Sequence, residues 1–106
     1  MNPKKVVREK VKILTDLPNI GPSLADDLRL IRIDTPEQLK GKEAFELYEM
    51  LCEKTGVKHD PCVLDVFMSI TDFMNGGEAK VWWDYTQQRK KTYSLKNWHV
   101  EIREEI

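Results

Sequence analysis

The chain has 106 residues, 41% apolar and 33% charged, with a formal net charge of -1, which sets the expectation of one soluble domain. At this length about 65% of the unfolded chain's surface is buried on folding, enough for a core without staples, and two cysteines make no disulfide framework. Near-neutral balance excludes a strongly basic polyanion-coating protein, and no apolar run reaches the roughly 18–20 residues that span a bilayer.

Met1-Asn2-Pro3-Lys4-Lys5 lacks the apolar stretch and small-residue cleavage site of a signal peptide, so the cytoplasm is the expected location. The average charge conceals asymmetry. Lys4, Lys5, Arg8, Lys10 and Lys12 stand against Glu9 alone at the start, residues 15–79 are net acidic, and residues 80–106 are basic again. A polyanion would therefore meet the ends of the chain rather than its middle.

In chain order, Asn2-Pro3 opens a predicted first helix, with Val6, Val7, Val11 and Leu14 at helical spacing. Residues 16–21 break it, and Pro22 starts a second helix carrying Leu24, Ala25, Leu28 and Ile31. Thr35-Pro36-Glu37-Gln38 is a capping-box start for a short third helix. A fourth runs from about Glu43 to Thr55 with Phe45, Leu47, Tyr48, Leu51 and Cys52 as its stripe, closed by Gly56. Asp60-Pro61 opens a fifth through Val63, Leu64, Phe67, Ile70 and Met74, ended by Asn75-Gly76-Gly77. Residues 83–91 read as a further short helix. Over 99–106 periodicity does not separate a helical turn from a strand. The expectation is a compact all-α bundle of about five short helices, with residues 1–75 as core and 76–106 as a Trp-bearing extension packed on the same domain.

Leu17-Pro18-Asn19-Ile20-Gly21-Pro22-Ser23-Leu24-Ala25 is the most specific passage. It reads as a tight turn between two helices, with Asn19 and Gly21 tolerating positive φ, Ile20 anchoring the turn, and Ala25 permitting close approach. The amides of Gly21, Ser23 and Leu24 fall at a helix N-terminus, where orphan donors and the macrodipole attract an anion. Pro22 supplies geometry and no N–H.

This passage resembles the helix-hairpin-helix motif, whose members hold a DNA backbone phosphate on the hairpin amides without reading sequence, a use consistent with the anion argument. Asn19 stands at the motif's first glycine, and Arg32 where a glycine often ends the second helix. Together with Leu28-Arg29-Leu30-Ile31, Leu47-Tyr48, Leu51-Cys52, residues 59–67 and Trp82-Trp83-Asp84-Tyr85-Thr86, the passage resembles a small bacterial family of pathogenicity-locus proteins. Some members of that family are labelled mitomycin-resistance proteins. The hairpin is also similar to the C-terminal domain of TfoX-type competence regulators. The resemblance covers about residues 15–91 and implies weak, sequence-independent DNA binding in repair or processing, on duplex, single-stranded or branched DNA.

Two features weigh on that implication. Ser23, Asp26 and Asp27 follow the hairpin where DNA-binding versions carry Lys or Arg. Each carboxylate about 6–8 Å from a phosphate costs well under 1 kcal/mol in water-like dielectric, which argues against tight binding without forbidding it. The alternative is a protein-contact adaptor using the acidic middle surface, with the hairpin as scaffold. The candidate nucleic-acid contacts are Asn19, Ile20, Gly21, Ser23 and Leu24, with Lys4, Lys5, Arg89 and Lys90 as phosphate-steering cations. Trp82 and Trp83 read first as core-capping residues and second as a base-stacking platform.

Cys52, His59 and Cys62 form a minor metal or redox candidate. Only His59 and Cys62 have local ligand spacing, Cys52 lies on an apolar stripe, and Cys62 near a helix N-terminus has its thiolate favoured by the dipole. Asp60 reads as a cap and Asp65 as a helix-surface residue. No catalytic constellation or P-loop is present in the sequence. The expectation is a non-enzymatic binding protein, without cofactor, membrane or small-molecule substrate.

Overall fold

A computed structural model describes residues 1–93. Among the described residues four α-helices form, Pro22–Leu30 (α1), Ala44–Thr55 (α2), Pro61–Met74 (α3) and Thr86–Thr92 (α4), with 3-10 turns at Pro3–Lys5, Arg8–Lys10, Leu14–Asp16, Pro36–Leu39 and Trp82–Tyr85. Among the described residues there is no strand, and the fold is all-α. The uncertain stretch at 99–106 lies outside the described residues.

The centre of the molecule is α3. Every residue from Leu64 to Thr71 is buried, because α2, the Pro36–Leu39 turn, the Trp82–Tyr85 turn and α4 all pack against it. Its sequence is apolar on most sides, the pattern of an enclosed helix. Leu64, Phe67 and Ile70 meet a core that includes Leu17, Ile20, Leu28, Leu39, Tyr48 and Leu51.

Local signals set the helix ends. Asp60 caps α3 by accepting from the Cys62 amide at 2.9 Å, with Pro61 in the first turn. Gly56 ends α2 at φ 73°, its N–H donating to the Cys52 carbonyl at 2.9 Å. Gln38 Oε1 accepts the amides of Asp34 and Thr35 at 2.6 and 3.0 Å, so the expected capping box forms.

The predicted first helix does not form. Residues 3–16 hold three separate 3-10 turns, with Val6, Val7, Val11 and Ile13 extended between and beside them. These β-branched residues gain little from a helix whose exposed side has no packing partner. The segment is fixed from outside instead. Arg8 donates to the carbonyls of Phe73 and Gly77 at 2.6 and 2.5 Å, and its guanidinium lies 4.1 Å from the Phe73 ring centroid. A cation thus closes the C-terminal end of α3, where carbonyls lack helical partners.

Asp65 is also corrected. It is 1% exposed rather than on the surface, because α4 covers that face of α3. Thr86 Oγ1 and Arg89 Nε donate to its two oxygens at 2.7 and 2.6 Å. Among the described residues, no buried side-chain nitrogen or oxygen lacks a hydrogen-bond partner.

Candidate nucleic-acid interface

The turn between the Leu14–Asp16 turn and α1 is built from its buried residues outward. Leu17 and Ile20 are 0% and 1% exposed and pin the turn to the core. Asp16 accepts from the amides of Lys12 and Ile13 at 3.0 and 3.1 Å, and these bonds hold its carboxyl below the usual carboxylate range. The Met1 amino nitrogen donates to the carbonyls of Leu17 and Ile20 at 2.9 and 2.8 Å, and the Asn19 amide donates to the Met1 carbonyl at 2.8 Å.

Asn19 carries the left-handed conformation of the turn, at φ 67°, a region that asparagine tolerates better than most residues. Gly21 does not share it. Its φ of -99° is ordinary extended backbone, so the expectation of positive φ at both positions holds for Asn19 alone. Arg32, at the position of the motif's terminal glycine, does sit at φ 66°. The side chain of Asn19 also does what a glycine cannot. Its Nδ2 donates to Ser69 Oγ on α3 at 2.9 Å and to the Lys80 carbonyl at 2.8 Å.

Beyond Gly21 the chain enters α1 with its first-turn donors unused. Among the described residues the amides of Gly21, Ser23 and Leu24 have no intramolecular acceptor, and no side chain caps the helix. Gly21, Pro22 and Ser23 are exposed, and a Cβ added at Gly21 would meet nothing within 4 Å. Donors and open space coincide here, the arrangement that suits an anion. Ala25 is fully buried, as the close approach of the turn requires. One of the two opposing carboxylates is already engaged, since Asp26 pairs with Arg29 at 2.8 Å on the exposed side of α1.

The other candidates divide. Lys4 and Lys5 are exposed in the first 3-10 turn, and Lys90 is exposed on α4. Arg89 does not join them, because its Nε is committed to Asp65 and its side chain is only 12% exposed. The tryptophans also separate: Trp82 packs against the core, whereas Trp83 is 59% exposed. The two rings meet edge to face, with centroids 5.4 Å apart and planes at 86°. Trp82 and Trp83 line the same open groove as Asn19, Ile20 and Gly21. Two passages more than 60 positions apart thereby become neighbours. The only signal of this in the sequence is the polar side chain standing at a glycine position of the motif.

Cys52, His59 and Cys62 do not gather around a common point. Cys52 is buried and its sulfur accepts from the His59 amide at 3.4 Å, while His59 Nε2 meets Thr55 Oγ1 at 2.8 Å. Among the described residues no group of three or more His, Cys, Asp or Glu is placed to hold a metal ion. For Cys62 the expected thiolate bias is reversed. Burial first, then the hydrogen bond and charge of Asp60 and the charge of Asp65, push its thiol up from the ordinary value.

The fold and this turn define a small all-α protein in which a helix entry with unused first-turn amides lies beside a tryptophan-bearing loop. Within that class the chain belongs to the pathogenicity-locus (Cdd1) family, which residues 7–91 match. Over 78 residues it is 41% identical to the mitomycin resistance protein McrB of Streptomyces lavendulae, and the match spans 74% of each chain. No solved structure matches the chain.

Proposed function

We propose that this protein binds the phosphate backbone of nucleic acid, without reading sequence, at the turn Leu17–Leu24. The observation that carries the proposal is the set of three unused amides at Gly21, Ser23 and Leu24, opening onto exposed surface at the start of α1. Lys4, Lys5 and Lys90 supply exposed positive charge, and pairing of Asp26 with Arg29 lessens the opposing field. With few cations and one clamp, binding is weak. A role in DNA repair or processing goes with this reading, as a non-enzymatic binding protein.

Anisotropy of labelled DNA across a salt series tests it. Saturation at about 1–100 μM protein is expected, with a log–log salt slope corresponding to roughly 2–4 phosphate contacts. Gly21→Val puts a branched side chain into the open space in front of the α1 entry, at a φ any residue adopts. It should cut affinity at least about tenfold, the worth of one charge-assisted hydrogen bond, while leaving the melting curve in place. Unchanged binding by that variant rejects the turn as the site. Absence of binding at low salt returns the protein to the reading of an adaptor with an acidic contact surface.

A further inference from the structure

Resting on the backbone-binding reading, we propose that the strand held at this turn is unpaired and stacks one base on Trp83. A groove of about 450 Å³ runs past Pro3, Asn19, Ile20, Gly21, Trp82 and Trp83, within the size range of small-ligand sites, about 300–1,000 Å³. Its floor is apolar and its one large exposed ring is Trp83, 59% accessible.

The ring has one neighbour that is anchored in the core. Trp82 packs on the core and meets Trp83 edge to face at 5.4 Å, so the platform loses little freedom when a ligand lands. The loop that carries it is tied to the turn through the bond from Asn19 Nδ2 to the Lys80 carbonyl at 2.8 Å. Asn19 therefore acts as a positioning residue, fixing the stacking surface relative to the α1 amides.

The chemistry of the groove selects its occupant. Lys4, exposed, directly follows the lining Pro3, whereas Lys80, next to the lining Val81, holds its ammonium 6.0 Å from the Tyr85 ring centroid and belongs to a neighbouring pocket. Asp84 is the opposing charge beside Trp83, and in water-like dielectric its repulsion of a phosphate several ångströms away stays below about 1 kcal/mol. An adjacent cation at Lys4, free amides and an exposed indole together fit a phosphodiester with a base attached. In a duplex the base faces are covered by their neighbours, so an aromatic platform beside a phosphate clamp serves a strand whose base is unstacked.

The full-length chain is titrated with three labelled probes of equal length: oligo-dT, an abasic strand with the same number of phosphates, and a duplex. Oligo-dT should bind about 5- to 150-fold more tightly than the abasic strand, the worth of one stacked base. Trp83→Ala should remove that difference while leaving abasic and duplex affinity within about twofold, and Trp83→Phe should keep most of it. Equal binding of oligo-dT and the abasic strand by the parent protein overturns the inference and leaves backbone binding standing. Equal weakening of all three probes by Trp83→Ala does the same. If no probe binds, the backbone reading falls with it.

Discussion

Arg89 Nε donates to Asp65 Oδ1 at 2.6 Å across the contact between α4 and α3, with the two side chains 12% and 1% exposed. This ion pair fastens the last described helix to the centre of the fold and withdraws Arg89 from any role at the surface. Removing one partner of a buried pair leaves an uncompensated charge, whereas removing both in favour of apolar residues is often close to neutral.

Arg89→Met should therefore destabilise the protein by about 3–5 kcal/mol, and Asp65→Leu combined with Arg89→Met should recover most of the loss. Urea denaturation of the two variants measures both. Nucleic-acid affinity of the single variant, taken where it is still folded, should match the parent, since Arg89 faces Asp65 and not solvent. A cost below about 1 kcal/mol would mean that the pair is solvated in solution.

At Asn19 backbone and side chain make separable contributions. Asn19→Gly removes the bonds to Ser69 and Lys80 but keeps a residue that accepts φ 67°. Asn19→Ala removes the same bonds and adds a left-handed backbone penalty of roughly 1 kcal/mol. Thermal or urea melts should rank the parent above Asn19→Gly, and Asn19→Gly above Asn19→Ala. Equal stabilities of the two variants would show that the turn is not left-handed.

Stability should fall at both ends of the pH scale for identifiable groups. Asp16, through the amides of Lys12 and Ile13, and Asp60, through the Cys62 amide, have carboxyls held below their ordinary values. A lowered folded value stabilises above an unfolded value of about 3.9 and is lost as pH drops through the folded one. Asp16→Asn with Asp60→Asn should make the acid limb shallower below about pH 4, read from urea midpoints. The phenols of Tyr48 and Tyr85 are pushed up, chiefly by burial, with Cys52 adding to the first and the bond to Asp72 to the second. Raised folded values stabilise fully below about pH 10 and lose that contribution as pH rises beyond it. Absorbance at the tyrosinate band should therefore show Tyr48 and Tyr85 ionising together with unfolding. Ionisation of both near their ordinary value with unchanged circular dichroism would contradict their burial.

The helices from Pro22 to Met74 were legible because their signals are local. Asp60-Pro61 and Gly56 act within one turn of the residues they punctuate, and the stripe of α2 follows the 3.6-residue period. The same period misled over residues 3–14. Val6, Val7 and Val11 have helical spacing but no helix, since β-branched residues in a short exposed segment take the conformation their tertiary contacts impose. Arg8, bonded to Phe73 and Gly77, supplies such a contact, and no window of local sequence contains it.

Local sequence sets the all-α class, the ends of α2 and α3, the left-handed residue at Asn19 and the donor-bearing entry to α1. Each depends on dihedral preferences and hydrogen bonds among residues a few positions apart. It took long-range packing to bury Asp65, to spend Arg89 on it and to bring Trp83 beside the turn. Burial and the field at a side chain come from whichever distant segments pack over it. Here those segments are α4 and the loop after α3, which the Asn19 side chain draws against the turn.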